Sequence, residues 1–185
     1  MKIMKHATFD GDLYRLTLLR VWRPDMHLLV VCMLNPSTAD AEQDDPTILA
    51  LIDFAFAWGF GGILVINLNA FRASKPEVMR AAADPVGPKN EAAIDESLHY
   101  AGQTSGLALA AWGNNGDPVQ VEAFCRKAAA AGVRLVCLGQ TKDGAPKHPM
   151  ARGQHRIPRD QQPLHWRAEA TKARIAAERS RAAEV

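Results

Sequence analysis

Apolar residues gather in four dense runs, and each run opens abruptly into a polar loop. Val30-Val31-Cys32-Met33-Leu34 leads into Asn35-Pro36-Ser37-Thr38, and Ile63-Leu64-Val65-Ile66 into Asn67-Leu68-Asn69. Leu107-Ala108-Leu109-Ala110-Ala111 leads into Trp112-Gly113-Asn114-Asn115-Gly116. Leu135-Val136-Cys137-Leu138 leads into Gly139-Gln140-Thr141-Lys142 and then Lys147-His148-Pro149. Consecutive apolar positions leave no solvent face, as in strands buried between helices. Between the runs lie helix signals. Asp45-Pro46 supplies an N-cap and a first-turn proline for a helix through Trp58, which Gly59 and Gly61-Gly62 end. Pro85 and Gly87-Pro88 mark a loop before a helix over 89–100, and a further helix over 118–131 stops at Gly132.

This alternation predicts an α/β fold, a three-layer sandwich with a central, mainly parallel sheet. Residues 13–22 add an early strand, expected at an edge, and Arg23-Pro24-Asp25 reads as a turn. If the four runs are parallel strands, their loops meet at one end, where open α/β sheets bind ligands. Residues 139–163 read as a long loop, a length that usually carries function. The expected organisation is one α/β domain over 1–163, followed by an Ala/Arg/Glu-rich, basic helical extension over 164–185.

Composition narrows the classes. The chain has 185 residues, 48% of them apolar, enough for one domain with a real core. Net charge is only +2, so no global field favours a polyanion. Yet Lys142, Lys147, Arg152, Arg156 and Arg159 follow the last run with only Asp143 among them, a local basic patch. Cys32, Cys125 and Cys137 lie far apart without a Cys-x-x-Cys spacing, so no zinc or iron–sulfur site is expected. No run reaches the roughly 18 apolar residues of a membrane span and nothing resembles a signal peptide, so a cytoplasmic monomer is expected, with no membrane partner.

Several strand-end residues have the chemistry for a site, and each has a plainer alternative. Asn35 is either a turn residue before Pro36 or an amide that holds a water or a ligand edge. Asn67 and Asn69 alternate and can share a face, where they would either read a nucleobase edge or form a polar strand end. Arg72 either contacts an anion or solubilises its loop. His148 is either solvent-facing or a donor to a developing oxyanion, with His155 the weaker candidate. Asp45 reads as an N-cap, whereas Asp40 or Asp44 would act as a general base if turned to the crevice. No phosphate-binding Gly-x-x-x-x-Gly-Lys-Ser/Thr loop and no Gly-x-Ser-x-Gly elbow occurs, which disfavours nucleoside triphosphate hydrolysis and serine esterase chemistry.

Residues 13–150 resemble an uncharacterised bacterial family, the domain of unknown function numbered 1643. The resemblance is carried by Met33-Leu34-Asn35-Pro36-Ser37-Thr38-Ala39-Asp40, Asp44-Asp45-Pro46-Thr47, Trp58-Gly59-Phe60-Gly61-Gly62, Asp84-Pro85-Val86-Gly87-Pro88, and Cys137-Leu138-Gly139 with His148-Pro149. More remotely, the ordered strand ends resemble the uracil-DNA glycosylase superfamily. Leu34-Asn35-Pro36 is similar to its Ile-Asn-Pro motif, Ile66-Asn67-Leu68 to its base-reading strand end, Ala111-Trp112-Gly113 to its Leu-Trp-Gly strand, and Lys147-His148-Pro149 to its His-Pro-Ser motif.

That resemblance implies a glycosylase-like fold and a DNA glycosylase acting on a flipped-out, modified pyrimidine, without a cofactor. It implies water placement by Asn35 with help from Asp40 or Asp44, and leaving-base stabilisation by His148. It also implies base reading by Asn67 and Asn69, with Phe71 or Trp112 stacking on the base. Lys142, Lys147, Arg152 and Arg156 would hold DNA phosphates, and Met150 or Arg152 would wedge the duplex, since Met150-Ala151-Arg152-Gly153 replaces the usual Ser-Pro-Leu-Ser. By analogy such an enzyme would remove hypermodified bases from phage DNA. The alternatives are a non-catalytic nucleic-acid or nucleotide-binding module, or an enzyme acting on free modified nucleotides.

Overall fold

A computed structural model describes residues 3–37 and 39–166. Its strands are β1 (Met4–Asp10), β2 (Tyr14–Val21), β3 (Leu28–Met33), β4 (Gly62–Asn67), β5 (Leu107–Ala110), β6 (Arg134–Cys137) and β7 (Leu164–His165). Its helices are α1 (Pro46–Ala57), α2 (Pro76–Arg80), α3 (Asn90–Gln103) and α4 (Pro118–Ala130). All strands join one sheet in the order β1-β2-β4-β3-β5-β6-β7.

The four apolar runs form the parallel centre, β4-β3-β5-β6. The sheet as a whole is mixed rather than mainly parallel, because β1, β2 and β7 all pair antiparallel. The β1–β2 hairpin accounts for most of this difference. β1 buries only Ala7 and exposes its other side chains wholly or in part, so its hydrophobic period is too weak to announce a strand. Once β1 takes the edge, β2 lies inside the sheet rather than at its margin.

The chain beyond the long loop also departs from expectation. Leu164 and His165 pair with Cys137 and Val136, and the buried Trp166 ring meets Trp112 edge-on at 5.1 Å. These residues extend the sheet instead of starting a helix; the rest of the expected extension, 167–185, lies outside the described residues.

Alternation along the central strands builds two cores. On one face Leu29, Val31, Met33, Ile63 and Val65 pack with Ile48, Leu51 and Phe54 of α1. On the other, Val30, Cys32, Ile66 and Leu68 pack with Ile94 and Leu98 of α3 and Val121 and Phe124 of α4. Each such fully buried aliphatic side chain contributes about 1.5–3 kcal/mol relative to exposure. α1 begins as its sequence dictates: Asp45 Oδ1 accepts the Ile48 amide at 2.9 Å, and Pro46 opens the first turn. Cys32 and Cys137 carry free, buried thiols, and burial pushes both up in pKa, so they behave as small apolar residues.

Candidate functional site

The parallel centre carries Asn35, Asn67, Trp112 and Gly139 off its strands at one common end. Main-chain bonds then set the loops. The Gly113 amide donates to Pro146 O at 2.9 Å and the Lys147 amide to Gly139 O at 2.8 Å, which docks the segment before His148 against the ends of β5 and β6. Gly113 and Gly139 both have positive φ, +71° and +136°, conformations that side-chain-bearing residues avoid.

His148 is half-buried, and its Nδ1 accepts the Met150 amide at 3.1 Å. An accepting Nδ1 carries no proton, so the ring's hydrogen sits on Nε2 and is available to a ligand. Burial pushes the imidazole below its ordinary value of 6.5, and the Asp45 carboxylate only partly offsets this. The result is a neutral donor at pH 7. Asp45→Asn keeps an amide oxygen for the α1 cap while deleting the charge. His148 in that variant is expected to titrate lower still, measured by NMR of the ring protons; an unmoved titration would show that Asp45 does not act on it.

Asn67, the last residue of β4, and Asn69, just beyond it, divide between the two faces. Asn67 alternates with Ile63 and Val65 on the α1 side and is fully buried. Neither its Nδ2 nor its Oδ1 has a hydrogen-bond partner among the described residues. Its main chain is held from behind: Asn90 Nδ2 donates to Asn67 O and Leu68 O, each at 3.1 Å. Asn69 does not join it. Asn69 Nδ2 donates to Leu34 O at 3.3 Å, and Gln120 Nε2 of α4 donates to Asn69 Oδ1 at 3.0 Å, so this amide is tied to the opposite face.

Asn35 is a brace as well as a strand end. Its Nδ2 donates to Ala73 O at 2.7 Å and to Pro36 O at 3.0 Å, so Oδ1 is what this amide retains for a water or ligand. Asp40 and Asp44 are engaged on the β2 side. Asp40 Oδ1 accepts the Glu42 and Gln43 amides, both at 2.8 Å, and these bonds hold its carboxyl below the ordinary value. Asp44 pairs with Lys5 and with the fully buried Arg20, each at 2.6 Å. Burial raises the Asp44 carboxyl, but the bonds from Lys5 and Arg20 outweigh it and the net shift is downward. Both carboxylates are stabilised as anions and serve to fold the loop before α1. Arg15, 3% exposed, reaches the Ala39 carbonyl of the same loop, and burial pushes it down to about 10.

The aromatic candidates face other rings. Trp112 is buried, edge-on to Phe124 at 5.6 Å as well as to Trp166. Phe71 is half-buried, edge-on to Tyr14 at 6.0 Å. The basic candidates come together more fully. A recess of about 480 Å³ gathers Lys142, Lys147, His148 and Arg152 with Asn114 and His155. A second recess, about 600 Å³, lies between α1 and the 149–159 segment and takes in Met150, Arg152 and Arg156. Among the described residues no group of three or more His, Cys, Asp or Glu side chains is arranged for a metal, and no helix is long and apolar enough to cross a membrane.

Residues 15–150 match the family described as "Protein of unknown function (DUF1643)". The chain belongs to that family. No curated protein and no solved structure matches it. In this DUF1643 protein the Asp44-Asp45-Pro46 stretch thus does three separate things: Asp44 neutralises Arg20, Asp45 caps α1 beside His148, and Pro46 opens the helix. Sequence reasoning missed Asn90 and Gln120, because a polar residue in a helix's first turn ordinarily faces solvent. It also left Asp45 as a cap alone, because only the packing of the 146–150 segment brings the imidazole near.

Proposed function

We propose that this protein is a DNA glycosylase that hydrolyses the N-glycosidic bond of a flipped-out, modified pyrimidine and leaves an abasic site. The observation that carries the reading is the Asn67 amide, fully buried at a strand end with both polar atoms unpartnered. A buried amide without partners costs about 1–3 kcal/mol, so it is retained where a ligand completes it. A pyrimidine edge offers the paired donor and acceptor that such an amide needs.

The other strand ends supply the remaining parts. Neutral His148 donates from Nε2 to the base oxygen as the glycosidic electron pair moves onto the leaving base. Water held at Asn35 Oδ1 adds to the sugar C1′ and gives up a proton, while the departing base anion takes one up. The Asp45 carboxylate, whose charge acts on His148, would favour the positive charge that develops on the sugar. The ordered resemblance to the uracil-DNA glycosylase superfamily supports the same assignment, and the three-layer arrangement belongs to this proposal. Removal of hypermodified bases from phage DNA is the biological role it suggests.

The test is incubation of the full chain with oligonucleotides carrying uracil, mismatches or bulky modified pyrimidines, followed by alkali. Strand breaks at the modified position are the expected result. Intact strands across the whole panel, with genuine modified phage DNA included, would sink the glycosylase reading. They would favour the second reading, a nucleic-acid-binding module, which the concentration of basic residues over 142–159 supports.

A further inference from the structure

The largest recess described lies outside the four strand ends. Its floor is apolar, made by Ala50 and Phe54 of α1 and by Ile157; its rim carries Arg152, Arg156 and Arg159. Arg159 pairs with Asp53 at 3.0 Å, both well exposed, whereas Arg152 and Arg156 have no ion pair among the described residues. An exposed pair of this kind is worth under about 1 kcal/mol and yields readily to a stronger anion. The recess adjoins the His148 recess, with which it shares Ala151 and Arg152. Residues 139–159 hold five basic residues against one acidic, a net charge of +4 in a chain whose total is +2. The remainder of the chain is therefore net acidic in sum, at −2.

Apolar floor and cationic rim together select a ligand with a flat apolar face and an anionic tether. At about 600 Å³ the recess falls in the range of sites that enclose a whole small molecule. We propose that this recess seats the nucleotide next to the one held at His148, so that the substrate is an unpaired nucleic-acid strand of at least two nucleotides. The base lies on the Phe54–Ile157 floor and the phosphates on the arginines, the combination by which single strands are bound without sequence preference. A strand threaded across both recesses passes over Ala151 and Arg152, which line both, with Met150, 38% exposed, on the side of the larger one. The proposal deepens the glycosylase reading by choosing a strand over a free nucleotide. It stands on binding alone, so it survives if no base is ever released.

Fluorescence anisotropy with labelled thymidine strands tests it. Affinity is expected to rise at least tenfold from a mononucleotide to an eight-nucleotide strand. The double variant Arg156→Gln/Arg159→Gln is expected to lose that gain and to reduce the slope of log affinity against log salt by about 1.4, at roughly 0.7 per phosphate contact on a single strand. Arg126→Gln/Arg134→Gln removes the same charge from exposed sites on α4 and at the far end of β6, and is expected to keep both. Affinity independent of length, equal losses in the two double variants, or tighter binding to a duplex of the same sequence would each overturn the proposal. Arg156 and Arg159 are exposed, so the test variant is expected to fold, and its circular dichroism verifies this.

Discussion

His148→Ala is expected to lower base release by about 10²–10³-fold, the usual cost of deleting one donor aimed at a developing anion. The argument rests on which nitrogen holds the proton. Because Nδ1 accepts the Met150 amide at 3.1 Å, the ring is fixed as the Nε2–H form. Protonation of Nδ1 would remove that acceptor, and burial already disfavours the cation. The pH dependence follows in sign. The imidazole's folded value lies below 6.5, so activity that needs the neutral ring persists as pH falls through 6.5 and declines only further down. The same shift makes the folded state bind fewer protons than the unfolded one. Its contribution to stability is therefore complete above about 6.5 and is lost as pH falls from there toward the folded value. A single-turnover rate profile from pH 5 to 8 checks the first statement. A midpoint at or above 6.5 would contradict the buried, neutral assignment. His148→Gln offers a donor without a titrating group, and is expected to recover part of the rate and flatten the profile.

Asn67→Leu is expected to abolish base excision and at the same time stabilise the fold by about 1–3 kcal/mol. Leucine has nearly the shape of asparagine and no polar atoms to leave unsatisfied. At position 67 it joins Ile63, Val65 and Met33, whose packing on the α1 face it continues. The main-chain carbonyl that Asn90 grips is unaffected by the change. A gain in stability with loss of function is the signature of a group kept for a ligand rather than for the fold. Urea unfolding of the two proteins measures it. If Asn67→Leu unfolds more easily than the parent, the amide is doing structural work and the base-reading role fails.

Much of the fold was legible because its signals are local. Four consecutive apolar runs can only be buried strands or helices, and their length, flanking glycines and following helix caps decide for strands. Asp45-Pro46 and Asp117-Pro118 both start helices, as capping chemistry requires. The hairpin strand β1 was not legible, since its side chains give no clear period of two in burial, and β7 spans only two exposed residues. What pairs them to the sheet is main-chain hydrogen bonding, which leaves little mark on side-chain pattern.

For the candidate site, sequence alone placed Asn35 and Asn67 at the ends of two parallel strands, and His148 and a basic segment in the loop after a third. Alternation on a strand follows from backbone geometry, and loops that leave one end of a parallel sheet must share that end. Tertiary structure decided everything that depends on distance between remote segments. It parted Asn67 from Asn69 by recruiting Gln120, spent Asp44 on Arg20, left Asp45 to act on His148, and opened the arginine-rimmed recess beside α1. A side chain's partners are chosen by whatever packing delivers to within about 3 Å, and that is a property of the folded chain rather than of neighbours in sequence.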